Sequence, residues 1–237
     1  MNTIKGILFD KDGTLIDFNR SWLAPYLKAT SYLAESVGRP ELADTLMTNG
    51  GYIKETQSWV PDSLLASGSN QQILDAWSSQ IGEPIQGERL ETIYAIFSLA
   101  SESYVAVIDN MSAFLQSLKQ RDIKLGVATM DDVSNAHEMI NKLSLSGIFD
   151  FVCGANSGFG VKPEPGMVLG FCQQCGLNPE DVMMVGDSPR DLNMGKNAGA
   201  KMNVGVLTGA HSGEELRQYG DAVIKNISEI PSLLNDK

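Results

Sequence analysis

The chain has 237 residues, of which 43% are hydrophobic and 20% charged, and a formal net charge of −11. These values exclude a disordered or fibrous chain and suit one large α/β domain, or a core domain carrying a smaller insert. The acidic balance disfavours nucleic acid and anionic membranes as partners, because phosphate backbones are bound through an excess of Lys and Arg. A small anionic substrate stays compatible, since a metal ion and one local lysine reverse the field inside a site.

The N-terminal run MNTIKGILFD is short and ends on a charge, so it reads neither as a signal peptide nor as a membrane span, and a cytoplasmic protein is expected. Within it IKGILFD reads as a buried strand ending in Asp10. From about Phe18 to Tyr104 the texture changes. SWLAPYLKATSYLAESVG, SNQQILDAWSSQIG and GERLETIYAIFSLASESY carry apolar residues at spacings of three and four and read as helices, with NGGYIKETQSWVPDS as a loop among them.

From Val105 onward helical and strand-like runs alternate. MSAFLQSLKQRD precedes IKLGVAT, SNAHEMINKLSL precedes FDFVCGA, PEPGMVLGFCQQCG precedes VMMVGD, and PRDLNMGKNAGA precedes KMNVGVLT; EELRQYG, DAVIK and a short helical tail follow. Such alternation predicts a Rossmann-like parallel sheet covered on both faces, to which the first strand belongs. The fold class is therefore α/β, with a core in residues 1–17 and 105–237 and a helical cap domain inserted at 18–104.

The cysteines are Cys153, Cys172 and Cys175, too few for a disulfide framework. Cys172 and Cys175 form a C-x-x-C inside a predicted helix, which reads as two residues on a helix face. His137 and His211 are far apart, which argues against a histidine-built zinc site, and neither has an evident partner. The methionines of VMMVGD and DLNMG read as core packing.

In open α/β sheets, ligands gather at the carboxyl ends of the strands. Those ends hold Asp10 with Asp12 two residues on, Thr129, Lys162 after a glycine-rich loop, and Asp187 with Asp191 four residues on. Clustered carboxylates are tolerable only if protonated, paired with cations or bound to metal. Oxygen ligands from Asp10, Asp12 and Asp187 without histidine or thiolate suit Mg²⁺. A carboxylate held beside Mg²⁺ and Lys162 can attack phosphorus and divide one difficult transfer into two easier ones.

In these motifs the sequence resembles the haloacid dehalogenase superfamily, in its phosphatase branch. DKDGT at Asp10–Thr14, VAT ending at Thr129, Lys162 in VKPEP, and GDSPRD with Asp187 and Asp191 match that family's four motifs, in order. The resemblance implies Asp10 as nucleophile and metal ligand, and Asp12 as general acid and then base with its main-chain carbonyl on Mg²⁺. It implies Thr129 as a hydrogen-bond donor to the phosphoryl group, Lys162 as the cation holding nucleophile and phosphate, Asp187 as a metal ligand, and Asp191 as support for the metal's waters or Lys162. The family's dehalogenases and phosphonate hydrolases lack an aspartate at the position of Asp12, so carbon–halogen and carbon–phosphorus cleavage are disfavoured, and the resemblance implies hydrolysis of a phosphomonoester, with a small phosphorylated metabolite as substrate. Within the superfamily the nearest likeness is to the group that includes phosphoglycolate phosphatases, and the insert resembles the helical C1-type caps. A sugar-phosphate phosphomutase and a non-catalytic phosphoryl-sensing protein of the same fold are the alternatives. Monomer and homodimer are equally compatible with the sequence.

Several residues have plainer readings. Ser188, Pro189 and Asp191 make an ordinary helix start, with serine as cap and an acid in the first turn. MDDVS after Thr129 offers another helix cap, so Asp131 and Asp132 stay outside the predicted site. Lys11 is expected to point away from the site, because neighbours on an extended segment face opposite sides, and the cation's role passes to Lys162. GANSGFGVK lacks the pattern of a nucleotide-binding loop and reads as the connection that delivers Lys162. Arg20 and Lys54 of the insert are candidates for pairing with a substrate carboxylate, against the reading of ordinary solvated side chains.

Overall fold

The run GILF forms strand β1 (Gly6–Phe9), buried along its whole length, as four consecutive apolar positions require of a central parallel strand. The computed structural model describes residues 4–98 and 104–234. The chain divides into two compact units, Met1–Asp17 with Val105–Lys237, and Phe18–Tyr104.

The second unit is helical. It contains α1 (Phe18–Ser36), α2 (Leu42–Asn49), the two-residue strands β2 (Tyr52–Ile53) and β3 (Ser58–Trp59), then α3 (Leu64–Ser67), α4 (Asn70–Ile81) and α5 (Glu88–Ser98). Residues 99–103, at the end of the third predicted helix, lie outside the described residues. The expected loop NGGYIKETQSWVPDS instead carries the antiparallel β2–β3 pair, with Tyr52 opposite Trp59. Helix α4 begins on a capping box, in which the Ser69 side chain accepts from the Gln72 N–H and the Gln72 side chain from the Ser69 N–H. The core of this unit is aromatic. Trp22 stacks on Tyr26 at 5.2 Å, and Tyr26 meets the edges of Trp59, Trp77 and Phe97.

The first unit resumes with α6 (Met111–Lys119), β4 (Lys124–Ala128), α7 (Val133–Lys142), β5 (Phe151–Cys153), α8 (Gly166–Cys175), β6 (Val182–Gly186), α9 (Pro189–Ala198), β7 (Met202–Val206), α10 (Gly213–Leu216) and β8 (Ala222–Ile224). Among the described residues the sheet has six parallel strands in the order β5-β4-β1-β6-β7-β8. The helical tail proves to be a 3-10 segment, Ile227–Leu233, containing Pro231. The segments leaving and re-entering this unit are paired, Asp17 N–H donating to the Val105 carbonyl and Val107 N–H to the Leu15 carbonyl. Met183, Met184 and Met194 are fully buried, as core packing demands. Cys172 and Cys175 lie on α8, the first buried and the second half-buried.

Asp150 pins the edge of this sheet. Its carboxylate accepts from the Leu125 N–H at 3.0 Å, and the ammonium groups of Lys119 and Lys124 lie 3.3 and 3.4 Å away. Burial alone would raise this carboxyl, but the Leu125 N–H and the two lysines outweigh it and hold it below the usual carboxylate range. A depressed carboxylate contributes stability that is present above its unfolded pKa of about 3.9 and lost as pH falls through the folded value. Asp150→Asn is therefore expected to lower stability at pH 7 by about 1–2 kcal/mol, read as a fall in melting temperature of roughly 2–4 °C per kcal/mol. The gap from wild type should close as the pH of the melt is brought below about 4.

Candidate active site

Strands β1, β4 and β6 end side by side, because the register pairs Phe9 with both Val127 and Val185. Asp10 follows β1, Thr129 follows β4 and Asp187 follows β6, so all three are brought to the carboxyl edge of the sheet. Asp10 is buried, and its N–H stays in the ladder, donating to the Val185 carbonyl at 2.8 Å.

Lys162 reaches the same place from the loop between β5 and α8. Its side chain is buried; the ammonium contacts Asp10 Oδ1 and lies 2.6 Å from Asp191 Oδ1. Burial would lower this lysine's pKa, but the Asp10 and Asp191 carboxylates outweigh it and hold the group above the usual lysine range. The charge is thus secure at any physiological pH. Asp191 also serves the helix. Its Oδ2 accepts from the Ser188 N–H at 3.1 Å and from the Ser188 hydroxyl at 2.6 Å, while Ser188 accepts from the Asp191 N–H, a capping box with Pro189 at the first helical position. The plain helix-start reading and the site reading of Asp191 hold together: one oxygen caps α9 and the other meets Lys162.

Carboxylate oxygens of Asp10, Asp187 and Asp191 lie within 4.8 Å of one another. Burial, opposed by Lys162 and reinforced by the Asp191 and Asp12 charges, pushes the Asp10 carboxyl up to about 7. Asp187 is raised well above the usual range by burial first and then by the charges of Asp10 and Asp191. One ammonium does not balance three carboxylates, and Asp10 Oδ2 is buried without a hydrogen-bond partner among the described residues. An orphaned oxygen in an all-oxygen, over-acidic cluster fits a hard divalent cation such as Mg²⁺. The Asp12 side chain is not a member of this trio, and Asp191, predicted only as support, is.

The backbone closes tightly around Asp187. A Cβ on Gly13, whose φ is +81°, would lie 2.7 Å from Asp187 Oδ2, and one on Gly209 would lie 1.7 Å from the same oxygen. Glycine at 209 is therefore what allows the loop after β7 to seat against the carboxylate. Sequence reading did not mark Gly209, since nothing in LTGAHSG distinguishes it from an ordinary loop glycine.

The expectation for Lys11 is corrected by the structure. Its side chain is fully buried and turns toward Asp12, with Nζ 2.8 Å from Asp12 Oδ2 and 3.0 Å from Asp131 Oδ2. Pleat alternation does not govern it, because the extended chain has already ended: the Lys11 carbonyl accepts from the Leu15 and Ile16 N–H groups at 2.9 and 3.1 Å, closing a turn. Asp131, left outside the predicted site, is buried beside it. At the expected cap of α7, Asp132 occupies the N-cap position without a side-chain cap bond, whereas Asp131 Oδ1 accepts from the Asp132 N–H and the Asn135 amide. Thr129 is buried, and its hydroxyl oxygen accepts from the Asp131 N–H at 3.1 Å.

The thiols offer no rival nucleophile. Burial pushes Cys153 up to about 12 and Cys172 up to about 11, and raises Cys175 as well, so none is a thiolate at neutral pH. His211 is buried. In the helical unit, Arg20 is exposed, and Lys54 pairs with Asp44 at 3.0 Å with both side chains exposed. No described helix is long and apolar enough to cross a membrane.

A family model described as haloacid dehalogenase-like hydrolase matches residues 4–199. A phosphoglycolate phosphatase of Psychrobacter arcticus is 27% identical over 221 residues, covering 90% of this chain and 87% of its own length. The pyrophosphatase PpaX of Bacillus velezensis is 26% identical over 228 residues, covering 96% and 94%. The crystal structure of a predicted phosphoglycolate phosphatase from Haemophilus somnus superposes with a TM-score of 0.69 over 98% of this chain and 99% of that one, at 20% identity, a likeness of fold.

Proposed function

The chain belongs to the haloacid dehalogenase-like hydrolase family, and from that membership we propose that it is a Mg²⁺-dependent phosphatase that hydrolyses a small phosphomonoester through an aspartyl-phosphate on Asp10, with phosphoglycolate the first substrate to test. It is a phosphoric monoester hydrolase by kinship. The observation that carries the finer reading is the buried Asp10, held through Oδ1 by Lys162 while Oδ2 has no hydrogen-bond partner among the described residues.

The chemistry follows from these side chains. An Asp10 oxygen attacks phosphorus as the bond to the ester oxygen breaks, and Asp12 passes its proton to that oxygen, releasing the alcohol. Asp12, now a carboxylate, takes a proton from water whose oxygen bonds to phosphorus as the Asp10–phosphorus bond breaks. Phosphate leaves, and the carboxylate of Asp10 and the acid form of Asp12 are restored. Lys162 neutralises charge on the phosphoryl oxygens and on Asp10, and the Thr129 hydroxyl donates to a phosphoryl oxygen. Asp10 and Asp187, with the Asp12 main-chain carbonyl, would hold Mg²⁺, which when bound supplies positive charge to the transferring group. Arg20 and Lys54 are the candidates for a substrate carboxylate, Lys54 by exchanging its exposed partner Asp44.

A phosphate-release panel with Mg²⁺, containing phosphoglycolate, sugar phosphates, nucleotides and pyrophosphate, tests the reading. Turnover of at least one monoester that disappears on chelation and returns with Mg²⁺ is expected. Silence across the panel, or activity indifferent to metal removal, would rule it out; an isomeric sugar phosphate as product would indicate a mutase. Gly209→Ala provides a further check. Its methyl group displaces Asp187, so the Mg²⁺ concentration for half-maximal activity should rise by about 10–100-fold, in a protein that still folds with an overpacking cost of about 1–3 kcal/mol.

A further inference from the structure

Lys11 is a second buried lysine, separate from Lys162, with a side chain 0% exposed. Taking an ammonium out of water costs several kcal/mol, so such a group persists only in good pairing. Its two carboxylate partners differ. Asp131, 5% exposed, is anchored from three sides: its N–H donates to Thr129 Oγ1, and its Oδ1 accepts from the Asp132 N–H at 2.7 Å and the Asn135 amide at 2.8 Å. Asp12 is 17% exposed and is the member of the chain that reaches solvent. A continuous set of contacts therefore runs from Thr129, at the end of β4, through Asp131 and Lys11 to Asp12.

We propose that Lys11, itself fixed by Asp131, is a positioning residue that holds the Asp12 carboxyl group through Oδ2, so that in the acid form the proton on Oδ1 reaches the departing ester oxygen. This rests on the phosphatase reading given above. A carboxylate beside Gly13 on a turn has rotamers to choose from, and proton transfer requires one that comes within hydrogen-bond reach of the leaving oxygen. A cation 2.8 Å from Asp12 Oδ2, itself tied down by Asp131, selects among them without touching the substrate.

The distinguishing readout is dependence on the leaving group. A p-nitrophenolate departs without a proton, whereas an alkoxide requires one, so kcat/KM, which covers the steps through departure, separates the two roles. For Lys11→Met with Mg²⁺, kcat/KM on the best alkyl ester of the panel is expected to fall by about 10²-fold or more, and on p-nitrophenyl phosphate by less than about 10-fold. Because Lys11→Met strands Asp131 without its cation and can unfold the chain, the neutral double variant Lys11→Met/Asp131→Asn is measured beside it and should show the same split. A lysine that only ties the loop after β1 to the loop after β4 would lower both esters equally. Equal losses, or no loss in the folded double variant, would overturn the proposal while leaving the phosphatase reading intact. Failure of the wild-type protein on every ester would sink both.

Discussion

Asp10→Asn is expected to reduce phosphate release by on the order of 10⁴-fold or more, about 5.4 kcal/mol of transition-state stabilisation. The amide keeps the shape of the carboxylate but offers no anionic oxygen to phosphorus. The other carboxylates of the cluster have roles of their own, Asp191 with Lys162 and Ser188 and Asp187 as a proposed metal ligand. The thiol of Cys153 is held near 12 by burial, and the Asp12 carboxylate is engaged by Lys11. Lys162 keeps Asp191 as a partner in the variant, so a folded protein with a melting temperature close to wild type is expected, and loss of activity by unfolding is separable by circular dichroism. A second readout concerns the intermediate itself. Beryllium fluoride with Mg²⁺, which mimics a phosphoryl group on a carboxylate, should raise the melting temperature of wild type and leave Asp10→Asn unmoved. Robust hydrolysis by Asp10→Asn would mean that water attacks phosphorus directly and would remove the aspartyl-phosphate from the mechanism.

Asp10, Thr129, Lys162 and Asp187 could be picked out in the sequence because each follows an apolar run or glycine loop at a strand end, and Asp191 by its place four residues after Asp187 in the first turn of α9; a parallel sheet collects its strand ends at one edge. The register of β1 with β4 and β6 then brings residues more than a hundred positions apart together without further specification. The longer helices were legible from regular apolar spacing, whereas α2 and the four-residue α3 of the helical unit were not marked. The β2–β3 pair was not, since two-residue strands are too short to show a period. The 3-10 form of the tail was hidden for a related reason: Pro231 breaks the α pattern but leaves the apolar residues at spacings of three.

Lys11 shows where local rules stop. The alternation of side chains holds only while the backbone is extended, and the turn that begins at the Lys11 carbonyl cancels it one residue after Asp10. Its partner Asp131 lies 120 positions away, and beside a threonine and a helix start it had a sufficient local explanation as a cap. A buried ion pair between loops is a property of tertiary register, and no window of sequence contains both halves. Gly209 is illegible on the same grounds, because its significance lies in an oxygen of Asp187 that the chain meets only after folding.

Lys162→Met is expected to destabilise the metal-free protein by roughly 3–5 kcal/mol, the usual consequence of stripping one partner from a buried pair, or roughly 6–20 °C in melting temperature. Two buried carboxylates, Asp10 and Asp191, crowded by the half-buried Asp187, are tolerable because Lys162 lies between the buried two. Without it those carboxylates must take up protons or remain as uncompensated charge. The sign of the pH effect follows. Removing Lys162 raises the Asp10 carboxyl further above its value of about 7, so the folded variant binds protons that the unfolded chain releases, and its stability falls as pH rises through neutrality. Wild type should show a shallower fall. Two neutralising additions separate this account from simple loss of packing. The double variant Lys162→Met/Asp191→Asn should be more stable than Lys162→Met alone, because the amide still accepts from Ser188 to cap α9 while one stranded charge is gone. Mg²⁺ should raise the melting temperature of Lys162→Met more than that of wild type, since a divalent cation replaces the missing positive charge among the same oxygens. Strictly additive single and double variants, with no differential effect of Mg²⁺, would mean that Lys162 stabilises through its aliphatic stem and that the carboxylate cluster does not need its charge.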